Sequence, residues 1–178
     1  MDKTQTRNIM EDKINIGKLI KRKLNENGRK EQWLADKLHR HVGTVTRICQ
    51  CEGINTDKLI PICSYLEYNF FNDYAEYINR QIRKESNLLF ESSLYQFIGG
   101  EKIHIGKLIQ EIKEKEGVKS SWLAKKIRRD KSDMPHIYNK KHIHTDILVH
   151  LCIYLNFNFF EIYANYVDEQ LKKKRQTT

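Results

Sequence analysis

Residues 32–48 have the sequence QWLADKLHRHVGTVTRI, and this stretch decides the fold. Ala35 and Leu38 lie on one apolar helical face, and Val45 and Ile48 continue the helical spacing after a short polar break. The pattern predicts two short helices joined by a tight turn. Ala35 is small enough to let the second helix cross the first closely. The residues between Val45 and Ile48 are polar, so we expect the second helix to offer its outer face to a partner.

The same pattern returns 89 positions later, as part of an internal repeat. Residues 14–84 align with residues 103–173 without a gap, and about two in five aligned positions are identical. We term these two ranges the first and the second repeat. A unit that occurs only twice fits a duplicated domain better than a stacked solenoid, which needs three or more units.

The repeat predicts an all-α chain made of two tandem five-helix domains. We expect the first domain over residues 1–84, an apolar linker over 85–102, and the second domain over 103–178, ending in a basic tail. The chain contains only two prolines and eight glycines, which favours helices joined by short turns. The linker is too apolar for a free tether, so we expect it to extend the fifth helix or to pack between the domains.

Composition narrows the class of partner. The 178 residues include 32 lysines and arginines against 23 acidic residues, a formal net charge of +9, which favours a polyanionic partner. No apolar run is long enough to span a membrane, and the first residues do not resemble a signal peptide, so we expect a cytoplasmic protein without membrane contact. The four cysteines are then expected to be reduced thiols.

Both repeats contain Gly-Lys-Leu-Ile, then Trp-Leu-Ala, then Thr-Asp-x-Leu, then Asn-Phe-Phe. This series resembles bacterial DNA-binding proteins of the lambda-repressor-like, or xenobiotic-response-element, helix-turn-helix class. The resemblance implies five helices per repeat, with the third helix of each in the DNA major groove.

Two departures from that class affect the expected geometry. The turn position that is usually glycine is His39 in the first repeat and Arg128 in the second, so we expect a looser turn. Pro135 lies within the third helix of the second repeat, which is tolerable in a first turn but leaves the helix length in doubt.

The third helices supply the candidate DNA-contacting residues. Val45 and Ile48 are predicted to point inward. The residues of the first repeat that should then point outward are Val42, Gly43, Thr46, Arg47 and Gln50. The matching residues of the second repeat are Lys131, Ser132, Pro135, His136 and Asn139.

Arg47 has the most specific chemistry in this set. Its guanidinium can donate two hydrogen bonds to guanine, and Gln50 can pair in a similar way with adenine. His41 or Thr44 would cap the helix or contact a phosphate. Asp133 places a negative charge near the matching helix, so the first repeat is predicted to make most base contacts. The alternative is that all of these are ordinary solvated residues on a surface helix.

The aromatic residues of both repeats are predicted to be structural. Trp33 and Trp122 are expected in the core or as half-buried supports under the third helix. Tyr74 and Tyr163, in the fifth helices, are expected in the core, with a face between the repeats or a dimer face as alternatives.

Four residues of the first repeat have side chains of the kinds that bind zinc: His39, His41, Cys49 and Cys51. The second repeat has Arg128, Asp130, Tyr138 and Lys140 at these positions and keeps the same apolar pattern. The fold therefore does not depend on a metal there, and we predict neither a metal nor a cofactor.

No glycine-rich phosphate loop, paired-carboxylate motif or Ser-His-Asp set stands out, so we expect a binding protein and not an enzyme. The sequence predicts a transcriptional regulator that binds double-stranded DNA. The alternative is a protein-interaction module, such as an antitoxin or an adaptor with a degenerate second repeat. A homodimer or a protein partner is left open. Head-to-tail fusion does not impose a two-fold axis and the outward residues differ, so we expect a non-palindromic site.

Overall fold

The computed structural model describes residues 13–82, 98–99 and 102–176, and these residues form an α-helical structure with one short pair of strands. The helices of the first repeat are α1 (Ile16–Glu26), α2 (Glu31–Leu38), α3 (Val42–Gln50), α4 (Thr56–Leu66) and α5 (Phe70–Gln81). Those of the second are α6 (Ile105–Lys115), α7 (Ser120–Lys126), α8 (Met134–Tyr138), α9 (Thr145–Leu155) and α10 (Phe159–Gln176). A 3₁₀ turn (Lys131–Asp133) precedes α8.

The segment before α6 adds a small element that the sequence did not predict. Strands β1 (Ile98–Gly99) and β2 (Lys102–Ile103) pair in antiparallel fashion. The fifth helix does not continue into the predicted linker, because α5 ends at Gln81 and Ile82 has an extended backbone. The rest of the linker, and residues 1–12, lie outside the described residues.

Side-chain caps start equivalent helices in both repeats. Asn15 and His104 each accept a hydrogen bond from the amide three residues ahead, at 3.0 and 3.3 Å. Asn69 and Asn158 each accept from the amide two residues ahead, at 3.1 Å in both repeats. Such caps satisfy amides that have no partner within the helix. The first and fifth helices of each repeat therefore begin at matching positions for the same local reason.

The predicted small core residues are buried in both repeats. Ala35 and Ala124 are at most 1% exposed, and α3 packs closely on α2 as the small side chain of Ala35 permits. Cys63 and Cys152 are also fully buried. Burial raises the pKa of the Cys63 thiol to about 12, so this cysteine stays neutral and acts as a small apolar residue.

The two repeats pack against each other through hydrogen bonds that occur twice. The hydroxyls of Thr56 and Tyr163 lie 3.1 Å apart, and the hydroxyl of Tyr74 donates to Thr145 Oγ1, also at 3.1 Å. Thr145 and Tyr163 are the repeat equivalents of Thr56 and Tyr74. The second bond is therefore the first bond with the two repeats exchanged.

Backbone groups follow the same reciprocal pattern. The Thr56 amide donates to the Ile143 carbonyl at 3.0 Å, and the Thr145 amide donates to the Ile54 carbonyl at 2.9 Å. These bonds flank an antiparallel bridge between residues 55 and 144. The short segments that lead into α4 and α9 are thus paired with each other.

The fifth helices complete the contact. Asn69 Nδ2 donates to the Ala164 carbonyl at 2.8 Å, and Asn158 Nδ2 donates to the Ala75 carbonyl at 2.9 Å. Two stacked aromatic pairs cross the boundary as well. They are Phe71 with Tyr163, at 4.9 Å between ring centres, and Tyr74 with Phe160, at 4.5 Å.

These contacts are reciprocal: where one residue of the first repeat touches the equivalent of a second residue, that second residue touches the equivalent of the first. This is the property of an isologous interface, so the repeats are related by an approximate two-fold axis. Head-to-tail fusion does not impose this axis; the contacts between the repeats produce it. Tyr74 and Tyr163 are buried, but they also form the face between the repeats, which was the alternative for them.

Removal of the Tyr74 hydroxyl and removal of the Tyr163 hydroxyl are expected to destabilise the protein equally. Tyr74→Phe and Tyr163→Phe should each lower the free energy of unfolding by about 0.5–1.5 kcal/mol, because each deletes one buried hydrogen bond and keeps the stacked ring. Urea unfolding followed by circular dichroism measures the change.

The partly exposed Tyr65, in α4, provides the matched control for this pair. Tyr65→Phe should change the unfolding free energy by less than about 0.5 kcal/mol. A loss in only one of the two interface variants would contradict the two-fold description.

Candidate nucleic-acid interface

The turn between α2 and α3 is tight in both repeats. His39 follows α2 with φ 51° and ψ 47°, a left-handed conformation, and Arg128 has φ 56°. Arg40 and Arg129, the next residues, donate backbone hydrogen bonds to Ala35 and Ala124, both at 2.9 Å. The expectation of a looser turn is therefore wrong, because these hydrogen bonds hold the left-handed conformation without glycine.

A side chain and a close backbone contact position the two ends of α3. His41 Nδ1 accepts from the Gly43 amide at 3.1 Å, so His41 caps the helix, one of the two roles considered for it. At the other end, the Gly17 amide donates to the Cys51 carbonyl at 3.0 Å. A Cβ at Gly17 would lie 2.6 Å from that carbonyl oxygen, so only glycine allows α1 to approach the end of α3.

The second repeat makes the same contact. The Gly106 amide donates to the Lys140 carbonyl at 2.9 Å, and a Cβ at Gly106 would clash with the backbone of Ile137 and Tyr138. This role of the two glycines was not predicted from the sequence. The available signal was a glycine kept inside the first helix of both repeats.

The inward face of α3 differs in part from the prediction. Val45 is fully buried, but Cys49 is the second buried residue, whereas Ile48 is only partly buried. Burial raises the pKa of the Cys49 thiol to about 11, so the thiol stays neutral. Val42, predicted to point outward, is partly buried and packs against the core. The face that α3 offers to a partner is therefore narrower than expected.

Arg47 and Gln50 are exposed on α3, together with Thr44, which was considered only as a cap or phosphate contact. Gly43 is partly exposed. The guanidinium of Arg47 and the side-chain amide of Gln50 therefore lie at the surface, where they can form hydrogen bonds with base edges.

Thr46 is used within the fold. Its hydroxyl lies 2.6 Å from Glu31 Oε2, to which it donates, and 3.2 Å from the Val42 carbonyl. This contact ties α3 to the first turn of α2. Thr46 was predicted to point outward, and the structure gives its hydroxyl a structural partner.

The second repeat exposes its whole predicted set, which is Lys131, Ser132, Pro135, His136 and Asn139. Its inward residues Met134, Ile137 and Tyr138 are buried. Pro135 lies in the first turn of α8, where its missing amide costs no helical hydrogen bond. α8 has only five residues, so the third helix of the second repeat is short, as the proline suggested.

Positive charge is concentrated on the second repeat. Residues 119–141 carry eight lysines and arginines against two aspartates, whereas the equivalent residues 30–52 carry four against three acidic residues. All eight except Lys126 are exposed. This excess of basic over acidic residues gives the second repeat the stronger attraction for a polyanion. The prediction from Asp133 did not take the excess into account.

The two tryptophans have different environments. Trp33 is partly buried against the core, with the Arg29 guanidinium 5.1 Å from its ring centre. Trp122 is 43% exposed and lies edge-on to Tyr154 in α9, at 6.0 Å between ring centres. Lys126 Nζ lies 5.4 Å from the Trp122 ring centre. Trp122 is therefore half-buried, as one of the two predictions for it allowed, and its ring contacts are with Tyr154 and Lys126.

In the part of the chain that the structure describes, no group of three or more His, Cys, Asp and Glu side chains is placed to hold a metal ion. No described helix combines the length and apolar composition needed to cross a membrane.

Comparisons with known proteins do not assign the chain to a family. No protein-family model matches it. Curated proteins give no significant match, and neither do solved structures.

Glycine at the turn should stabilise the protein. His39→Gly and Arg128→Gly are each expected to raise the free energy of unfolding by about 0.5–1 kcal/mol, because glycine adopts the left-handed conformation without steric cost. Thermal and urea unfolding measure the change. Lys37→Gly, inside right-handed α2, is the control and should lower stability by roughly 0.5–1 kcal/mol. Destabilisation by both turn variants would contradict the left-handed turn.

Proposed function

We propose that this protein is a sequence-specific DNA-binding protein, acting as a transcriptional regulator, made of two tandem lambda-repressor-like helix-turn-helix domains. In this proposal α3 and α8 enter the DNA major groove. One observation carries the proposal: two equivalent helix pairs, each with exposed polar residues on its second helix, are related by an approximate two-fold axis. Helix-turn-helix dimers present two recognition helices to DNA with this symmetry.

The two-fold relation makes the single chain resemble such a dimer. A two-fold rotation does not move a residue along the axis, so α3 and α8 lie at the same level along it. The two half-sites should therefore run in opposite directions along the DNA. They should also differ in sequence, because all five outward residues differ between the repeats.

The exposed chemistry supports a division of roles. Arg47 and Gln50 of α3 can form bidentate hydrogen bonds with guanine and adenine. The second repeat has a shorter third helix and a larger excess of exposed lysines and arginines. We therefore assign most of the base preference to the first repeat and most of the phosphate contacts to the second.

A protein-interaction module is the second candidate, and Trp122 supports it. This side chain is 43% exposed and is the one large apolar residue at the surface among the described residues. Exposed aromatic residues are frequent at protein interfaces. In this alternative, the second repeat would bind a protein, as in an antitoxin or an adaptor.

Binding to duplex DNA should weaken steeply as salt rises. If the protein neutralises about five phosphates, the slope of log affinity against log salt should be about −4 to −5. Fluorescence anisotropy with a labelled random duplex measures this slope. Absence of binding at low salt would refute the DNA-binding proposal, and binding that is insensitive to salt would favour the second candidate.

Substitutions in the two third helices should have different effects. Arg47→Ala should cost about 1–3 kcal/mol on the preferred site and relax the preference at one position, whereas Lys131→Ala should weaken binding to all sequences alike. Selection of bound sequences from random duplex DNA, repeated with each variant, measures both effects. A perfect palindrome, or equal loss of preference in both variants, would contradict the proposed division of roles.

A further inference from the structure

A groove with a volume of about 780 Å³ lies beside α3 in the first repeat. Its walls come from the end of α2, one side of α3 and the first turns of α4, and His144 of the second repeat closes one side. Leu38, Ile48 and Ile62 give it an apolar lining. This volume lies within the range of small-molecule sites, which typically combine an apolar lining with a few polar groups.

Four basic side chains line the same groove: Lys37, Arg40, Arg47 and Lys58. All four are exposed at the surface. None of them takes part in the ion pairs found among residues 13–82 and 102–176. Asp57 is the one carboxylate in the lining, so positive charge exceeds negative charge in the groove.

The start of α4 already has partners within the fold. The Thr56 amide donates to the Ile143 carbonyl, and the Lys58 and Leu59 amides donate to the Asn55 carbonyl. Asp57 also places a carboxylate in this first turn. The attraction of the groove for an anion therefore comes from the four basic side chains.

The equivalent positions of the second repeat have partly different chemistry. Lys37 and Arg40 have basic equivalents there, Lys126 and Arg129. Lys58, Gly53 and Pro61 correspond to Ile147, His142 and His150, which are larger or lack the charge. The His150 ring stacks on Tyr154, at 6.2 Å between ring centres. The groove of the first repeat therefore differs from the second at these three positions.

We propose that this groove binds a phosphate ester, with Lys37, Arg40 and Lys58 as the cationic contacts. The apolar lining would lie under the sugar or base of the ester. Arg47 belongs both to the groove and to the exposed face of α3, so an occupant would lie next to bases held by α3. The ester is either a backbone phosphate of bound DNA, in which case the inference rests on the proposed function, or a free nucleotide.

The first arm of the test uses free ligands. Adenosine 5′-monophosphate and adenosine are titrated into the ¹⁵N-labelled full chain, and amide shifts are followed by NMR. A free-nucleotide site predicts shifts for residues 37–40 and 53–58 with the monophosphate but not with adenosine. The double variant Arg40→Gln/Lys58→Gln should then weaken binding at least about tenfold, because it removes two charge-assisted hydrogen bonds.

The second arm measures duplex DNA binding over a range of salt concentrations. A backbone-phosphate site predicts that Arg40→Gln and Lys58→Gln each make the salt slope shallower by about one. Arg80→Gln removes one exposed charge near the end of α5, outside the groove, and serves as the matched control. Thermal melting establishes that each variant keeps the wild-type fold.

The outcomes separate the two ligands and the two proposals. Monophosphate binding that the double variant loses and Arg80→Gln retains supports a free-nucleotide site, even if the wild-type chain does not bind DNA. A shallower salt slope confined to the groove variants supports a backbone-phosphate site. The inference would be overturned if the groove variants change neither monophosphate binding nor the salt slope. Equal effects of the groove variants and Arg80→Gln would also overturn it.

Discussion

Two buried threonines fix the two repeats in one relative orientation. Thr56 and Thr145 are fully buried, and each hydroxyl bonds to a tyrosine of the other repeat. Each threonine oxygen also accepts from a backbone amide across the boundary, at 3.3 Å from Ile143 and 3.1 Å from Ile54. A shift of one repeat against the other would leave several buried polar groups unpaired, at about 1–3 kcal/mol each. The interface therefore specifies one arrangement.

This arrangement also serves stability. Each repeat has about 70 residues, which is a small size for an independent hydrophobic core. The buried residues of both repeats form one continuous cluster, and α5 and α10 pack against each other within it. The chain thus gains from the interface the apolar burial that a single repeat lacks. The same rigid contact would keep two DNA-contacting helices at a constant spacing, as the proposed function requires.

Identity between the repeats is distributed according to role. Most of the buried residues that bond across the axis are the same in both, as in Thr56 and Thr145 or Asn69 and Asn158, whereas Asn79 and its equivalent Asp168 also bond across it and differ. The outward residues of α3 and α8, and several residues around the groove, differ at equivalent positions. In a single chain the two halves can change separately wherever no contact demands symmetry. An approximately two-fold scaffold thereby carries two different outer surfaces.

Periodicity and the internal repeat predicted helices in both repeats, and α3 forms where the spacing of Val45 and Ile48 predicted the second helix. These are local properties, set within a few residues. Only the tertiary structure decided the two-fold interface, the burial of Cys49 and the exposure of Trp122, because each depends on segments distant in the chain. Thr56 belongs to the repeated Thr-Asp-x-Leu series, yet its hydroxyl bonds to Tyr163 of the other repeat. The spacing of residues in the sequence does not indicate such a partner, because the contact forms only when both repeats have folded.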